Sequence, residues 1–411
     1  MGANTAVTVK NRRMADLLSQ SDLPLLLVVA TLLIFGLVML YSASWDFSLQ
    51  IYSSPTHIFQ RQVLWLAIGL VSMTVCVLLP YRAWRRLALP AMAVTLIALA
   101  LVFILGEIRL GAVRNLQNGS VQPSELAKLV TILYLAVWLD SRQEHINDWT
   151  LALIPLGTIL GLIGGLIFLQ PDLSAALTIF LLGGLLYFLA GGDWRRILTL
   201  VAGAALVGTV VVALSPTGRE RVQSYLENLH DPLTGSYHVQ RSMEAFARGG
   251  WFGRGIGKSA TKLTGLPVPP TDSIFAVIGE ETGFFGASLV VILYVLLVWR
   301  CLVIARKAPD AIGQIIAAGI GCWLGMEALI NMAVMVGLMP FAGNALPLIS
   351  AGGSNLVVSL TSIGILCSIV RTSAQEQQIR ERSRYAVVDL RRRDRRRRVS
   401  GAGRPASPEK P

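Results

Sequence analysis

The stretch LPLLLVVATLLIFGLVML, residues 23–40, decides the fold class: it holds 18 residues without one charge. About 20 apolar residues carry a helix through the ~30 Å hydrocarbon core of a bilayer. In lipid, backbone amides find no water, so a spanning segment satisfies them internally and is helical. Working outward, comparable blocks recur, so that the apolar runs fall at about 23–43, 62–80, 87–105, 123–139, 151–169, 173–190, 197–214, 273–299, 311–338 and 345–370. The composition agrees. Hydrophobic residues make up 54% of the 411 and charged residues only 15%, against ~25% in soluble domains. The expected fold is therefore all-α, a polytopic membrane protein of about ten transmembrane helices. The first block is too long for a leader peptide and has no small-residue cleavage site, so it reads as a retained helix.

Lysine and arginine flanking the spans set the expected orientation. Lys10, Arg12 and Arg13 precede the first block; Arg82, Arg85 and Arg86 follow the second; Arg195 and Arg196 the sixth; Arg300, Arg306 and Lys307 the eighth. Ten crossings put all of these on one face, together with the C-terminal tail, and that face reads as cytoplasmic. Trp84, Trp194 and Trp299 stand beside the clusters as interfacial anchors would. Residues 1–22 then form a cytoplasmic extension, 23–371 the membrane domain, and 372–411 a basic tail expected to be disordered. From Arg371 onward there are 13 Lys and Arg against 5 Asp and Glu, including RRRDRRRR at 391–398. Such a juxtamembrane run matches anionic lipid better than nucleic acid. Cys76, Cys301, Cys322 and Cys367 lie in or beside apolar blocks without paired or metal-ligand spacing, and read as packing residues.

The opposite, extracytoplasmic face receives the one long interruption, the loop 215–272 before the eighth span. Its YHVQRSMEAFARGGWFGRGIG mixes apolar and charged residues at helical spacing and then turns glycine-rich. Such a loop, on an otherwise economical chain, is where function concentrates. Ionisable residues at or within the membrane mark the rest. In QPSELAK (122–128), Ser124 can cap a helix and Glu125 and Lys128 share a face; an ordinary capped helix start with one ion pair explains it equally well. In QPD (170–172), Asp172 is most simply an N-cap. TDSIFAVIGEETGFFG (271–286) puts Asp272 at the mouth of the eighth span, with Glu280 and Glu281 two turns further along, where they would pair with cations on neighbouring helices. Partial desolvation raises the basicity of a carboxylate, as a general base requires. LPLISAGGSN (346–355), with Ser350, Gly352 and Gly353, implies broken backbone that is packed in protein or lines a cavity. GRGIGKS (253–259) imitates a phosphate loop, but Phe252 stands where that pattern needs glycine, and no strand precedes it. A glycine-rich turn is the better reading.

Together, GAVRNL (111–116), QPSELAK, QPDL, Asp231-Pro232, Tyr237, GGWFGRGIGKS, TDSIFAVIGEE and LPLISAGGS resemble the SEDS family (shape, elongation, division, sporulation), the FtsW/RodA-like proteins, over nearly all of 23–371. The resemblance implies a ten-helix peptidoglycan glycosyltransferase that polymerises lipid II on the outer leaflet. It places the catalytic aspartate on Asp272, the characteristic fourth-helix pair on Glu125 and Lys128, and the loop arginine on Arg114. It also implies a class B penicillin-binding protein as partner, further divisome or elongasome membrane proteins, and help from a divalent cation (Mg or Mn) for which Asp272 is the candidate ligand. Pro270, His238, Arg241, Asn115 and Ala351 depart from the family's usual residues. The N-terminal extension and basic tail lean toward the division-type member, at the septum.

On this reading Asp272 takes the proton of an attacking sugar hydroxyl. Arg114, Lys128, Arg241 and Lys258 offer positive charge to the departing pyrophosphate, with Glu125, Glu280, Glu281, Ser350, Gly352 and Gly353 lining the substrate site. The alternatives are a flippase for lipid-linked precursors, which needs a polar path to both faces, and a non-catalytic scaffold.

Overall fold

Asp22 and Asp310 show how sequence becomes architecture at one end of the molecule. Asp22 caps α1 (Leu23–Tyr52), accepting from the Leu25 amide at 3.0 Å, and also pairs with Arg300 at 2.5 Å. Asp310 caps α10 (Ala311–Met335), accepting from Gly313 at 2.8 Å, and pairs with Arg82 at 3.2 Å. Arg85 reaches Asp140 at 2.6 Å. Asp22 and Asp310 each satisfy an orphan helix amide while an arginine from another part of the chain satisfies the carboxylate. These pairs define an arginine-rich end.

The computed structural model describes residues 22–105, 107–109, 112–115, 122–170, 172–214, 219–220, 222–226 and 236–399, with backbone alone at 103–105, 107–109, 112–115, 204–207, 210–212, 214 and 382–399. Lys10, Arg12, Arg13, Gly111, Leu116, Asp231 and Pro232 lie outside the described residues. The element order is α1; α2 (His57–Leu78); α3 (Trp84–Leu105); a hairpin of β1 (Glu107–Arg109) and β2 (Ala112–Asn115); α4 (Pro123–Asp140); α5 (Ile154–Leu169); α6 (Leu173–Leu189); α7 (Trp194–Leu214); α8 (Tyr237–Gly249); α9 (Ile274–Lys307); α10; and α11 (Gly353–Val399). Ten of these eleven helices coincide with the ten apolar blocks, and the eleventh, α8, is the helix expected within the long loop. The hairpin pairs Ile108 with Val113 and Arg109 with Ala112 and is the one departure from an all-helical chain among the described residues. Among the described residues seven helices are long and apolar enough to cross a membrane on length and hydropathy alone, α5 counted with the π turn Trp149–Leu153 that leads into it. Of the others, α4 carries Glu125, Lys128 and Asp140 within 18 residues, α6 has 17, and α7 is only partly described.

Asp22–Ile369 form one compact unit. In their most apolar windows, α10 is 78% buried and α2 only 17%, so α10 is central and α2 peripheral. α10 packs on α9, α4, α6 and α8. Small residues bring α2 and α11 together: a Cβ on Gly364 would stand 2.5 Å from the Met73 carbonyl oxygen, and one on Gly69 2.6 Å from Leu360. With lipid outside and no hydrophobic drive between helices, such close backbone contact supplies the association.

Two findings differ from expectation. α9 is broken at Gly283 (φ 69°, ψ −168°), so residues 274–282 form a separate helical piece from 284–307. The other belongs to the second compact unit, which takes in Val370 onward: the backbone of RRRDRRRR is helical through Val399, where charge alone predicted disorder. Arginine has high helix propensity, and that preference prevails there.

Candidate functional site

At the end opposite the arginine pairs, three helix starts meet. Asp172 caps α6, accepting from the Ala175 amide at 3.2 Å, as expected. Its other oxygen receives the Gln122 amide group at 3.1 Å, and the Gln122 backbone N–H donates to Ser354 Oγ at 2.8 Å. Ser124 does not cap α4. Pro123 at the first helical position makes Gln122 the N-cap residue, and Ser124 points instead toward Asp172 at 3.5 Å. QPSELAK, QPD and SAGGSN therefore converge.

One turn into α4, Lys128 bonds Glu125 at 2.7 Å and also Glu327 of α10. Asn355 donates to the second oxygen of Glu125 at 3.0 Å. All these side chains are buried, Lys128 at 4% exposure. Glu327 was not singled out by the sequence reading, nor was Asn331, one turn further along α10. Asn331 Nδ2 donates to the main-chain oxygens of Asp272 (2.9 Å) and Asn344 (2.6 Å). The signal was present: two polar side chains at i, i+4 in an otherwise apolar span. A polar seam thus runs from Asp172 through Gln122, Glu125, Lys128 and Glu327 to Asn331 and Asp272.

Asp272 is half-buried and lies one residue before Ser273, the N-cap residue of α9. The connection from α10 to α11 passes over its carboxylate, since a Cβ on Gly343 would stand 3.0 Å from Asp272 Oδ2. The LPLIS segment is sewn to the same place. Ser350 Oγ donates to the Thr271 carbonyl at 2.7 Å, and Ala351 N–H to Pro270 O at 2.8 Å. Gln62 of α2 donates to Ser350 O at 3.1 Å and accepts from Gly352 N–H at 3.2 Å. Gly353 lies against the Trp65 indole, where a Cβ would come within 2.6 Å. Ser350 and Ala351 thus tie this segment to the backbone beside Asp272, while Gly352 and Gly353 seat it on α2.

Glu280 and Glu281 sit elsewhere, at the glycine-rich turn. Glu280 accepts from the Ala260 and Thr261 amides (3.0 and 3.2 Å) and from the Ser259 and Thr261 hydroxyls. Glu281 accepts from the Gly257 amide (3.0 Å), Ser42 Oγ (2.6 Å) and Lys262 (3.0 Å). The expected pairing with cations on neighbouring helices is met only for Glu281, and its cation comes from the loop. The turn that imitates a phosphate loop does present convergent N–H groups, and they hold the chain's own carboxylates. Arg241 on α8 donates to Glu244 at 2.7 Å and to the Tyr237 hydroxyl at 3.2 Å; these two acceptors raise its pKa above the usual arginine value. Lys258 is exposed on the glycine-rich turn. Arg114 is in β2, and its side chain lies outside the described residues. His238 stacks on Phe341 at 4.0 Å, laying α8 against the connection that covers Asp272.

A family model described as cell cycle protein, FtsW/RodA/SpoVE, matches residues 23–375. The chain belongs to this family. Among relatives within it, a "Probable peptidoglycan glycosyltransferase FtsW" of Trichlorobacter lovleyi is 38% identical over 86% of this chain and 93% of its own. One of the same description from Geobacter sp. strain M18 is 36% identical over 85% and 96%. Among solved structures, a chain from "Structural coordination of polymerization and crosslinking by a peptidoglycan synthase complex" superposes with TM-score 0.71 at 31% identity, covering 86% of this chain and 99% of that one. The Thermus thermophilus rod shape determining protein RodA superposes at 0.64 and 27% identity, covering 85% and 97%. Family membership and the apolar helices make the chain a multi-pass membrane protein.

Proposed function

We propose that the chain is a peptidoglycan glycosyltransferase that polymerises lipid II at the outer face of the cytoplasmic membrane, with Asp272 as general base. The observation that carries this is the setting of Asp272. A half-buried carboxylate stands at the end of the bundle bearing α8, with its main chain fixed by Asn331 and its flanks fixed by Ser350 and Ala351. A catalytic base has to be positioned by the structure around it, and the bonds to the main chain at 270–272 support that role for Asp272. The names of the relatives and of the synthase complex support the same reading.

In the reaction, Asp272 accepts the proton of the GlcNAc 4-hydroxyl as that oxygen bonds the MurNAc anomeric carbon of a second lipid II. The bond from that carbon to the pyrophosphate oxygen breaks, and undecaprenyl pyrophosphate leaves with the electron pair. Phosphate leaves readily once its charge is met, so position and cations carry the catalysis. Arg241 and Lys258 are the side chains proposed to meet it, Lys258 being exposed on the glycine-rich turn; Lys128, enclosed by two carboxylates, braces the site rather than touching substrate. No group of three or more His, Cys, Asp or Glu side chains gathers among the described residues. A Mg- or Mn-type ion takes one or two carboxylates and completes its shell with water and substrate phosphate, which Asp272 alone fits. When bound, such an ion would neutralise charge on the leaving group. A groove of about 500 Å³ between α1, α2 and the glycine-rich turn, lined by Leu37, Tyr41, Trp45, Phe59 and Ile256, offers a seat for a polyprenyl chain.

With the arginine-rich end in the cytoplasm, both termini are cytoplasmic and Asp272 is extracytoplasmic. A class B penicillin-binding protein is the proposed partner, with other division-complex membrane proteins and anionic lipid at the basic tail, and septal placement. The test uses purified protein in lipid nanodiscs with labelled lipid II. Wild type builds glycan ladders and Asp272→Asn builds none; ladders of undiminished length and rate from Asp272→Asn would remove Asp272 from the mechanism.

A further inference from the structure

The break at Gly283 changes where the membrane meets α9. From Phe284 to the Trp299–Arg300 pair the second piece runs about 16 helical residues, or ~24 Å at 1.5 Å per residue, most of the ~30 Å core. The far end carries the interfacial set Trp299, Arg300, Arg306 and Lys307. Measured from that set, Phe284 and Phe285 stand near the opposite edge of the core, and the break at Gly283 falls where the chain approaches the headgroup layer.

At that point four rings gather. Trp251 packs edge-on to Phe284 at 5.2 Å and against Phe285 at 6.1 Å, and Phe252 meets Phe285 at 5.3 Å. Each is more than half exposed, Phe252 at 83%. Their backbone is fixed: Phe284 N–H donates to Gly250 O at 2.9 Å, and Arg254 N–H to Glu280 O at 3.0 Å. Gly253 and Gly283 meet backbone to backbone, so that a Cβ on Gly283 (φ 69°) would fall 2.3 Å from Gly253 N, and one on Gly253 (φ 78°) 2.2 Å from Glu281 O. A rigid, exposed aromatic knot this size needs an apolar cover.

We propose that this knot is a lipid-interface anchor, which seats the α8–α9 connection in the headgroup layer of the leaflet at the α8 end. Aromatic rings favour that depth because one side meets acyl chain while the rest meets water and headgroup. Arg254 and Lys258, both exposed on the adjoining turn, supply cations for lipid phosphate. The face continuous with the knot argues for lipid over a partner helix. Phe284 and Phe285, Val291 and Ile292, and Val295 and Leu296 are exposed in adjacent pairs, a face broader than the two-per-heptad seam of a helix pair. The anchor fixes the height of the Glu280–Glu281 clasp above the hydrocarbon, and with it the helical piece that starts beside Asp272.

The experiment places a nitroxide at Phe252→Cys in nanodiscs of phosphatidylethanolamine and phosphatidylglycerol. Collision with oxygen and with a water-soluble nickel chelate is then compared with the same label at Leu289→Cys. Wild type carried through the labelling gives the background from the native cysteines. The label at 252 is expected at headgroup depth, reached by the chelate severalfold less than a fully aqueous label and severalfold more than the label at 289. Fully aqueous access at 252 would overturn the proposal, and so would shielding from both reagents, which would mean a protein cover. As a second arm, Trp251→Ser with Phe252→Ser is expected to raise chelate access at an Ile256→Cys label, and unchanged access would also overturn it. Neither arm reads polymerisation, so this result stands apart from that of the Asp272 assay.

Discussion

Lys128 brings one positive charge into a buried site that holds two carboxylates, Glu125 and Glu327. Removing the cation leaves like charges facing each other without solvent. Lys128→Met should therefore lower stability by about 3–5 kcal/mol, the range for breaking a buried ion pair from one side. The change is read as an earlier thermal or denaturant transition in detergent. Glu327→Gln keeps an acceptor for Lys128 while removing the surplus charge, and should cost no more than about 1 kcal/mol. If the two variants are equally unstable, the charge argument is wrong. Glu125 and Lys128 were legible in the sequence because i, i+3 spacing is a local signal. Their third member was not, since Glu327 lies 199 residues away and only packing of α4 on α10 reveals it. Lys262 and Glu281 offer a second residue-level check. A double-mutant cycle of Lys262→Met and Glu281→Gln should show a coupling on the order of 1–3 kcal/mol, as neighbours in one network do.

At the scale of elements, helix identity followed from apolar blocks and helix ends from caps. Asp172 and Asp310 cap where a short acceptor precedes an apolar run. What the pattern could not show is the break in α9, because GEETGFFG carries no proline and nothing in it marks Gly283 apart from Gly279 and Gly286, which stay helical. The break becomes visible only once Gly253 and Gly283 are seen backbone to backbone. Nor could it show that Glu280 and Glu281 hold the loop, a contact built from amides that have no sequence signature. Close helix approach makes its own prediction. Gly364→Leu has to displace the Met73 backbone, now 2.5 Å from the position of a Cβ, and should part α2 from α11. In a cross-linking assay, cysteines at Ser72 and Thr361, whose hydroxyls lie 2.7 Å apart, should join efficiently in the parent and at least severalfold less in the Gly364→Leu background. Equal cross-linking would show that the contact yields without separation.

For the whole molecule, the ten-block hydropathy pattern and the lysine and arginine bias gave a topology, and the motif order gave a family. The structure adds a polar seam that joins three helix starts to Asp272 at the end away from the arginine pairs. The position of Asp272 relative to the membrane is the premise on which the proposed chemistry depends. The most direct measurement is labelling of Asp272→Cys in intact cells by a membrane-impermeant maleimide. Cys76, Cys301 and Cys367 are buried and Cys322 half-buried, so wild type supplies a low background. Labelling from outside without permeabilisation is the predicted result. Labelling that appears only after the cytoplasm is opened would contradict the account, because no lipid II sugar on the outer leaflet could then reach residue 272.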